Sequence, residues 1–178
     1  MKQTLLLVDN QDRFLGKYAN RLDCHKTPGL HHRAFVTMLF NYNGEVLLQK
    51  RKHQLFGNLW DLTCASHPVH RNGKDESYEE AAVRALKTEM GIKNIKLSKI
   101  GGFNYFAQDG NNFCENEYCA ILTGVYNRKV NPNPECVYQY RWLDFDQFLA
   151  EIDKMPEKFT TWANLAASKL KNLIFYTF

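Results

Sequence analysis

Two apolar runs, Phe35 to Tyr42 and Val46 to Gln49, stand on either side of Asn43-Gly44. Asn-Gly accepts the left-handed backbone that a tight two-residue turn demands, so this spacing is the strongest short-range signal of a β-hairpin. The rest of the chain has to be compatible with a sheet built around it. Leu5 to Val8 and Phe14 to Lys17 flank the turn-like Asn10-Gln11-Asp12-Arg13 and predict an opening hairpin. Ile100 to Ala107 and Glu115 to Val125 read as long strands around Asp109-Gly110-Asn111-Asn112, and Tyr138 to Leu143 as a shorter one. Helices interrupt the strands. Ser77-Tyr78-Glu79-Glu80 is a capping box opening a helix through Met90, with Gly91 where a left-handed stop belongs. Asp144 can cap a helix to about Ile152, and Thr161 another to about Asn172. Strands with separated helices predict an α+β fold, a mixed sheet sandwiched between helices.

No repeat or Pro/Gly/Ser-rich linker divides the 178 residues, so one domain, 1–178, is expected. With 44% hydrophobic and 24% charged residues the chain has the balance of a soluble globular protein. No stretch approaches the ~20 apolar residues that span a bilayer, and Leu5 to Val8 is too short for a signal-peptide core. A cytoplasmic protein without membrane partners is expected. A net charge of +4 is too small and too dispersed for a nucleic-acid partner. Five cysteines at irregular spacing give neither a disulfide framework nor a thiolate zinc site. The apolar tail 173–178 is expected to pack on this chain, as a monomer or weak homodimer.

The residues with metal-binding chemistry are His25, His32 and His67, followed much later by Glu115 and Glu117. On a strand the two glutamates point to one face, where their mutual repulsion is costly without a cation between them. Three imidazoles and two carboxylates suit a borderline divalent ion such as Mn²⁺ or Zn²⁺. Spacing alone favours the plainer reading, scattered histidines and a solvated Glu-x-Glu face, since no local ligand signature is present.

Arg84, Leu86, Glu89, Gly91 and Ile92 on the 77–90 helix match a degraded Nudix box. Ser66, Ala85 and Thr88 occupy its opening glycine and two of its glutamate positions. The match widens when the whole chain is read. His25, His32-Arg33-Ala34-Phe35, Leu39-Phe40-Asn41, Gln49-Lys50-Arg51, Ser66-His67-Pro68, Glu115-Asn116-Glu117 and Arg141-Trp142 together resemble type I isopentenyl-diphosphate isomerase. That family is a Nudix-fold offshoot, and the resemblance runs in order from Leu5 to about Leu170.

The resemblance implies a Nudix-type sheet with an N-terminal hairpin extension, and conversion of isopentenyl to dimethylallyl diphosphate by adding and removing a proton. It implies a divalent metal on His25, His32, His67, Glu115 and Glu117, and Mg²⁺ held by Glu89 against a prenyl diphosphate. Arg21, Arg51 and Ser66 fall at diphosphate-contacting positions. Tyr105 and Glu117 fall where the alkene is protonated, and Trp162 where an aromatic ring faces the hydrocarbon. An indole there would stabilise a desolvated carbocation by roughly 2 kcal/mol.

Two departures stand out. Ala65 occupies the position of the family's catalytic cysteine, and alanine transfers no proton. Cys64 beside it is expected to point to the opposite face of an extended segment. The segment Lys52 to Leu59 is shorter than in relatives and leaves the family's second diphosphate-binding lysine without a counterpart, Lys50 and Lys52 being the nearest. Ala65 has three readings at this point: an inactivating substitution, a natural variant using another base, or divergence to a new use. A Nudix diphosphohydrolase is the alternative enzyme and would need Glu76, Glu79 or Glu80 to join Glu89. A non-catalytic prenyl-diphosphate binder is the alternative outside enzymes.

Overall fold

The structure, a computed structural model, describes residues 3–175, with side chains to residue 171. The expected packing of the tail 173–178 therefore lies outside the described side chains. In chain order the elements begin β1 (Thr4–Val8), β2 (Phe14–Asn20), α1 (Arg21–His25), β3 (His32–Phe40), β4 (Glu45–Arg51), β5 (Trp60–Asp61) and β6 (Cys64–Ser66). They continue β7 (Val69–Arg71), β8 (Lys74–Asp75), α2 (Tyr78–Met90), β9 (Ser98–Asp109), β10 (Phe113–Val125), β11 (Val137–Asp144), α3 (Phe145–Lys154) and α4 (Thr161–Phe175).

All eleven strands join one mixed sheet. At its centre β3 pairs in parallel with β10 and antiparallel with β4, β6 and β1. The Asn43-Gly44 hairpin forms, with Gly44 at φ 78°. The opening hairpin forms as β1 and β2. Alternation along the central strands sorts side chains into two cores. Ala34, Val36, Met38, Cys119 and Ile121 face α3 and α4, packing with Phe148, Trp162 and Ala166. Phe35, Leu39, Ala120 and Leu122 face α2, packing with Ala82, Leu86 and Met90. The expected sandwich is thus present, with one helix on one face and two on the other.

Helix α2 starts and stops where its sequence says. Ser77 accepts from the Glu80 backbone N–H, and the Glu80 carboxylate accepts in return from the Ser77 N–H. Gly91 closes the helix at φ 68°, where any Cβ would meet the Asn131 carbonyl at 2.5 Å. The cap of α4 is displaced by one residue from expectation. Thr160, not Thr161, accepts from the Ala163 N–H through Oγ1, because Thr160 already points inward to a buried carboxylate, Asp61. Short elements carried little sequence signal: α1 and the paired β7 and β8 have too few residues for a period to show.

Candidate active site and metal centre

Strand register brings the predicted residues together. In the parallel ladder Glu117 lies beside His32, and in the antiparallel ladder it lies beside Tyr105. One row across three neighbouring strands therefore reads His32, Glu117, Tyr105. Glu115, two residues back on β10, faces the same way, while Asn116 turns aside to donate to the Gly29 carbonyl. His25 ends α1, and His67 follows β6. The five side chains are all buried, and one ligand atom from each lies within 4.8 Å of the others.

The fit of this cluster to a cation rests on its tautomers. His25 Nδ1–H donates to the Arg21 carbonyl at 2.7 Å, and His32 Nδ1–H to the Leu30 carbonyl at 2.8 Å. These bonds leave both Nε2 atoms as bare lone pairs. Yet His25 Nε2 stands 2.9 Å from Glu115 Oε2, and His32 Nε2 3.2 Å from Glu117 Oε1. His25 Nε2, His32 Nε2 and Glu115 Oε2 have no hydrogen-bond partner of acceptable geometry. Lone pairs of nitrogen and carboxylate oxygen repel at these distances unless a proton or a metal cation lies between them. A backbone carbonyl behind each imidazole is also how metal-ligating histidines are held. Burial and close contact also perturb the acidities of these groups. Burial lowers His25, but contact with Glu115 outweighs it and raises the imidazole. Burial raises Glu115, and the neighbouring Glu117 raises it further. Burial and the nearby His32 and His25 hold His67 well below the usual histidine range.

Tyr105 O–H donates to Glu117 Oε2 at 2.6 Å. Burial first, and the Glu117 charge second, keep this phenol protonated far above its ordinary range. Both residues border a cavity of about 180 Å³. Arg21, Arg51, Ala65, Ser66, His67, Glu89, Glu115 and Trp162 line it too, whereas His25 and His32 complete the His/Glu cluster behind it. Trp162 contributes a wall, its ring 6.1 Å from that of Tyr105 and 4.9 Å from the Arg51 guanidinium carbon. Ala65 pairs with Val36 and faces the cavity, whereas Cys64 is wholly buried on the α2 side, as alternation requires. There the Cys64 thiol meets Glu89, which also accepts from Gln49 Nε2 at 3.0 Å. Burial raises Glu89 despite Gln49 and Arg51 beside it.

Arg84 and Glu89 are not the exposed helix residues that a plain reading of α2 would make them. Arg84 clamps Glu76 with Nε and Nη2, both at 2.8 Å, and donates to the His67 carbonyl at 2.9 Å. Glu76 is thereby taken up, and Glu80 is held by Ser77 and Lys74. None of Glu76, Glu79 and Glu80 lines the cavity with Glu89.

Sequence reasoning missed two residues. Neither Lys50 nor Lys52 reaches the cavity, and Lys52 Nζ donates instead to the Pro134 carbonyl. His53 does reach it, with Nε2 buried and unpartnered. The turn after it is tight, since a Cβ on Gly57 would meet the His53 carbonyl at 2.3 Å. The basic side chain that the segment 52–59 turns to the cavity is thus an imidazole and not a lysine. The other is Asp61, whose one available signal is a lone carboxylate between Trp60 and Leu62.

The NUDIX domain model matches residues 30–163. An isopentenyl-diphosphate Delta-isomerase of Serratia proteamaculans is 35% identical over 164 residues, covering 91% of this chain and 88% of its own. Isopentenyl-diphosphate Delta-isomerase 2 of Photorhabdus laumondii is also 35% identical, covering 91% and 89%. Among solved structures, a Deinococcus radiodurans protein superimposes with a TM-score of 0.64 at 18% identity, covering 85% of this chain and 90% of that one. A MutT protein of Methanosarcina mazei gives 0.63 at 17%, covering 80% and 94%. Those two likenesses speak to the fold. The sequence relatives go further, and with the domain match they make this chain a member of the isopentenyl-diphosphate Delta-isomerase family of the Nudix superfamily.

Proposed function

We propose that the chain binds isopentenyl diphosphate and exchanges protons on its alkene, as an isopentenyl-diphosphate Delta-isomerase lacking the family's thiol at position 65. The observation that carries this reading is the Tyr105–Glu117 pair, which sits on the five-residue cluster and opens onto a cavity walled by Trp162. Mn²⁺ or Zn²⁺ belongs in the His/Glu cluster, and Mg²⁺ beside Glu89. A divalent ion in the cluster would neutralise the two adjacent carboxylates and sharpen the acidity of the group next to them.

The chain's own residues then divide the work. Tyr105 and Glu117 hold a proton on the cavity wall, where a strong acid is needed to protonate an unactivated alkene. Trp162 offers its ring to the positive carbon that results. Arg21, Arg51 and Ser66 receive the diphosphate. Arg51 is 6% exposed; Asp61 holds its Nη1 at 2.8 Å, but its Nε has no partner, which leaves a buried donor for a second anion. Ala65 faces the cavity on the side from which the second proton would leave, and it cannot accept one.

The test compares this chain with Ala65→Cys, both supplied with Mg²⁺ and Mn²⁺, on isopentenyl diphosphate. Turnover should rise on the order of a hundredfold or more in the cysteine form, the usual worth of a placed proton-transfer group. Equal rates in the two forms, or phosphate release in place of isomerisation, would overturn the reading. Retention of Glu76 and Glu80 in structural bonds favours the isomerase over a diphosphohydrolase.

A further inference from the structure

Behind the cavity wall lies Asp61, a carboxylate with no exposed surface and no contact with the cavity itself. It meets four donors. Oδ1 accepts from the Leu62 N–H at 2.8 Å, the Thr160 hydroxyl at 3.1 Å and the Trp162 indole N–H at 2.7 Å. Oδ2 accepts from Arg51 Nη1 at 2.8 Å. Among the described residues Asp61 is the one carboxylate paired with Arg51. A single buried charge therefore holds both Arg51 and Trp162, two residues that line the cavity from different elements, β4 and α4.

We propose that Asp61 is a positioning residue that couples anion binding at Arg51 to the setting of the Trp162 indole. The proposal rests on the diphosphate reading given above. In the structure Asp61 is the counter-charge of Arg51. A diphosphate arriving at the free Nε side of Arg51 competes for the same guanidinium, and the carboxylate's charge is then answered more by its remaining donors. Its bond from the indole N–H strengthens, and the ring face gains electron density toward the cavity. The aromatic wall is thus prepared for a positive carbon when the diphosphate is in place. By reciprocity, whatever loosens Asp61 from Trp162 must alter anion binding at Arg51.

Asn at this position keeps the shape but cannot accept from all four donors or carry the charge. The experiment measures binding of inorganic diphosphate, with Mg²⁺ present, by calorimetry and by tryptophan emission in wild type, Asp61→Asn and Trp162→Phe. Loss of the emission change in Trp162→Phe assigns it to Trp162 rather than to Trp60 or Trp142. Asp61→Asn should bind diphosphate more tightly, by roughly tenfold, because Arg51 loses its internal competitor, while the Trp162 emission change disappears. A purely structural Asp61 predicts the reverse, weaker binding. Trp162→Phe leaves Asp61 with one donor fewer and a firmer hold on Arg51, so diphosphate binding should weaken severalfold. This second variant decides the matter if Asp61→Asn does not fold. Diphosphate binding unchanged in the folded variants, or weakened by Asp61→Asn, overturns the coupling alone. No diphosphate binding by wild type overturns the diphosphate reading and the coupling with it.

Discussion

Glu117 is the residue on which most of the site converges. Its two oxygens meet His67 and His32 on one side and the Tyr105 hydroxyl on the other, with almost no exposure to water. Tyr105→Phe removes the hydroxyl and nothing else, so turnover in an active Ala65→Cys background should fall by on the order of a hundredfold. Metal content by elemental analysis should not change, and a variant that loses metal would show the phenol to be part of the metal site instead. His53 makes a prediction about pH. Burial first, then the charges of Arg51 and Arg21, press its pKa down to about 4 from an ordinary 6.5. Between those values the unfolded chain binds the proton and the folded chain does not, so this histidine makes stability fall as pH drops from 6.5 towards 4. His53→Gln should reduce the loss of urea midpoint between pH 7 and pH 5; an unchanged loss would place His53 in water. The sequence showed the candidates at this scale but not their pairings. That Glu115 and Glu117 share a face follows from a period of two, whereas the histidines opposite them are set by contacts between distant segments.

At the scale of elements, each strongly periodic or capped segment was legible. The capping box, Gly91 and the Asn43-Gly44 turn are local solutions to local problems, and local sequence suffices to read them. Ser77→Ala should destabilise the fold by about 1 kcal/mol, the usual worth of such a cap, measurable by denaturant unfolding. Gly91→Ala should cost more, since it adds left-handed strain to a 2.5 Å approach to the Asn131 carbonyl. If Gly91→Ala proves the milder of the two, Asn131 has moved aside. What local sequence could not show was the placement of the short strands β5 to β8. They have two or three residues each, and β6 and β7 are held by strands far along the chain, as Ser66 is by Phe35 and Val69 by Leu5. The displaced cap of α4 has a similar cause: Thr160 is drawn inward by Asp61, almost a hundred residues earlier.

The whole molecule is a sheet whose two faces bury separate cores, with the candidate metal site where several elements meet. The five candidate ligands come from the end of α1, the start of β3, the link after β6, and β10. An ion bound by all of them joins segments more than ninety residues apart in sequence and binds only the folded chain. Chelation should therefore lower the thermal midpoint, and Mn²⁺ or Zn²⁺ should restore it in a concentration-dependent way. A midpoint indifferent to chelator in metal-loaded protein would mean that the five residues do not hold an ion. Because imidazoles and carboxylates must both be deprotonated to ligate, retention of metal should also fall as the solution is acidified.

His32, Glu117 and Tyr105 lie on one row of three adjacent strands, spaced by backbone pairing rather than by their own side chains. Ala65 sits on a fourth strand of the same weave, opposite Val36. A framework of this kind keeps its vacancies in register. A side chain can be exchanged at one crossing point while the remaining points stay undisturbed, so Ala65→Cys should fit without rearranging its neighbours. The same feature makes such sheets good repositories of dormant activities: what is erased is a side chain, while its address survives.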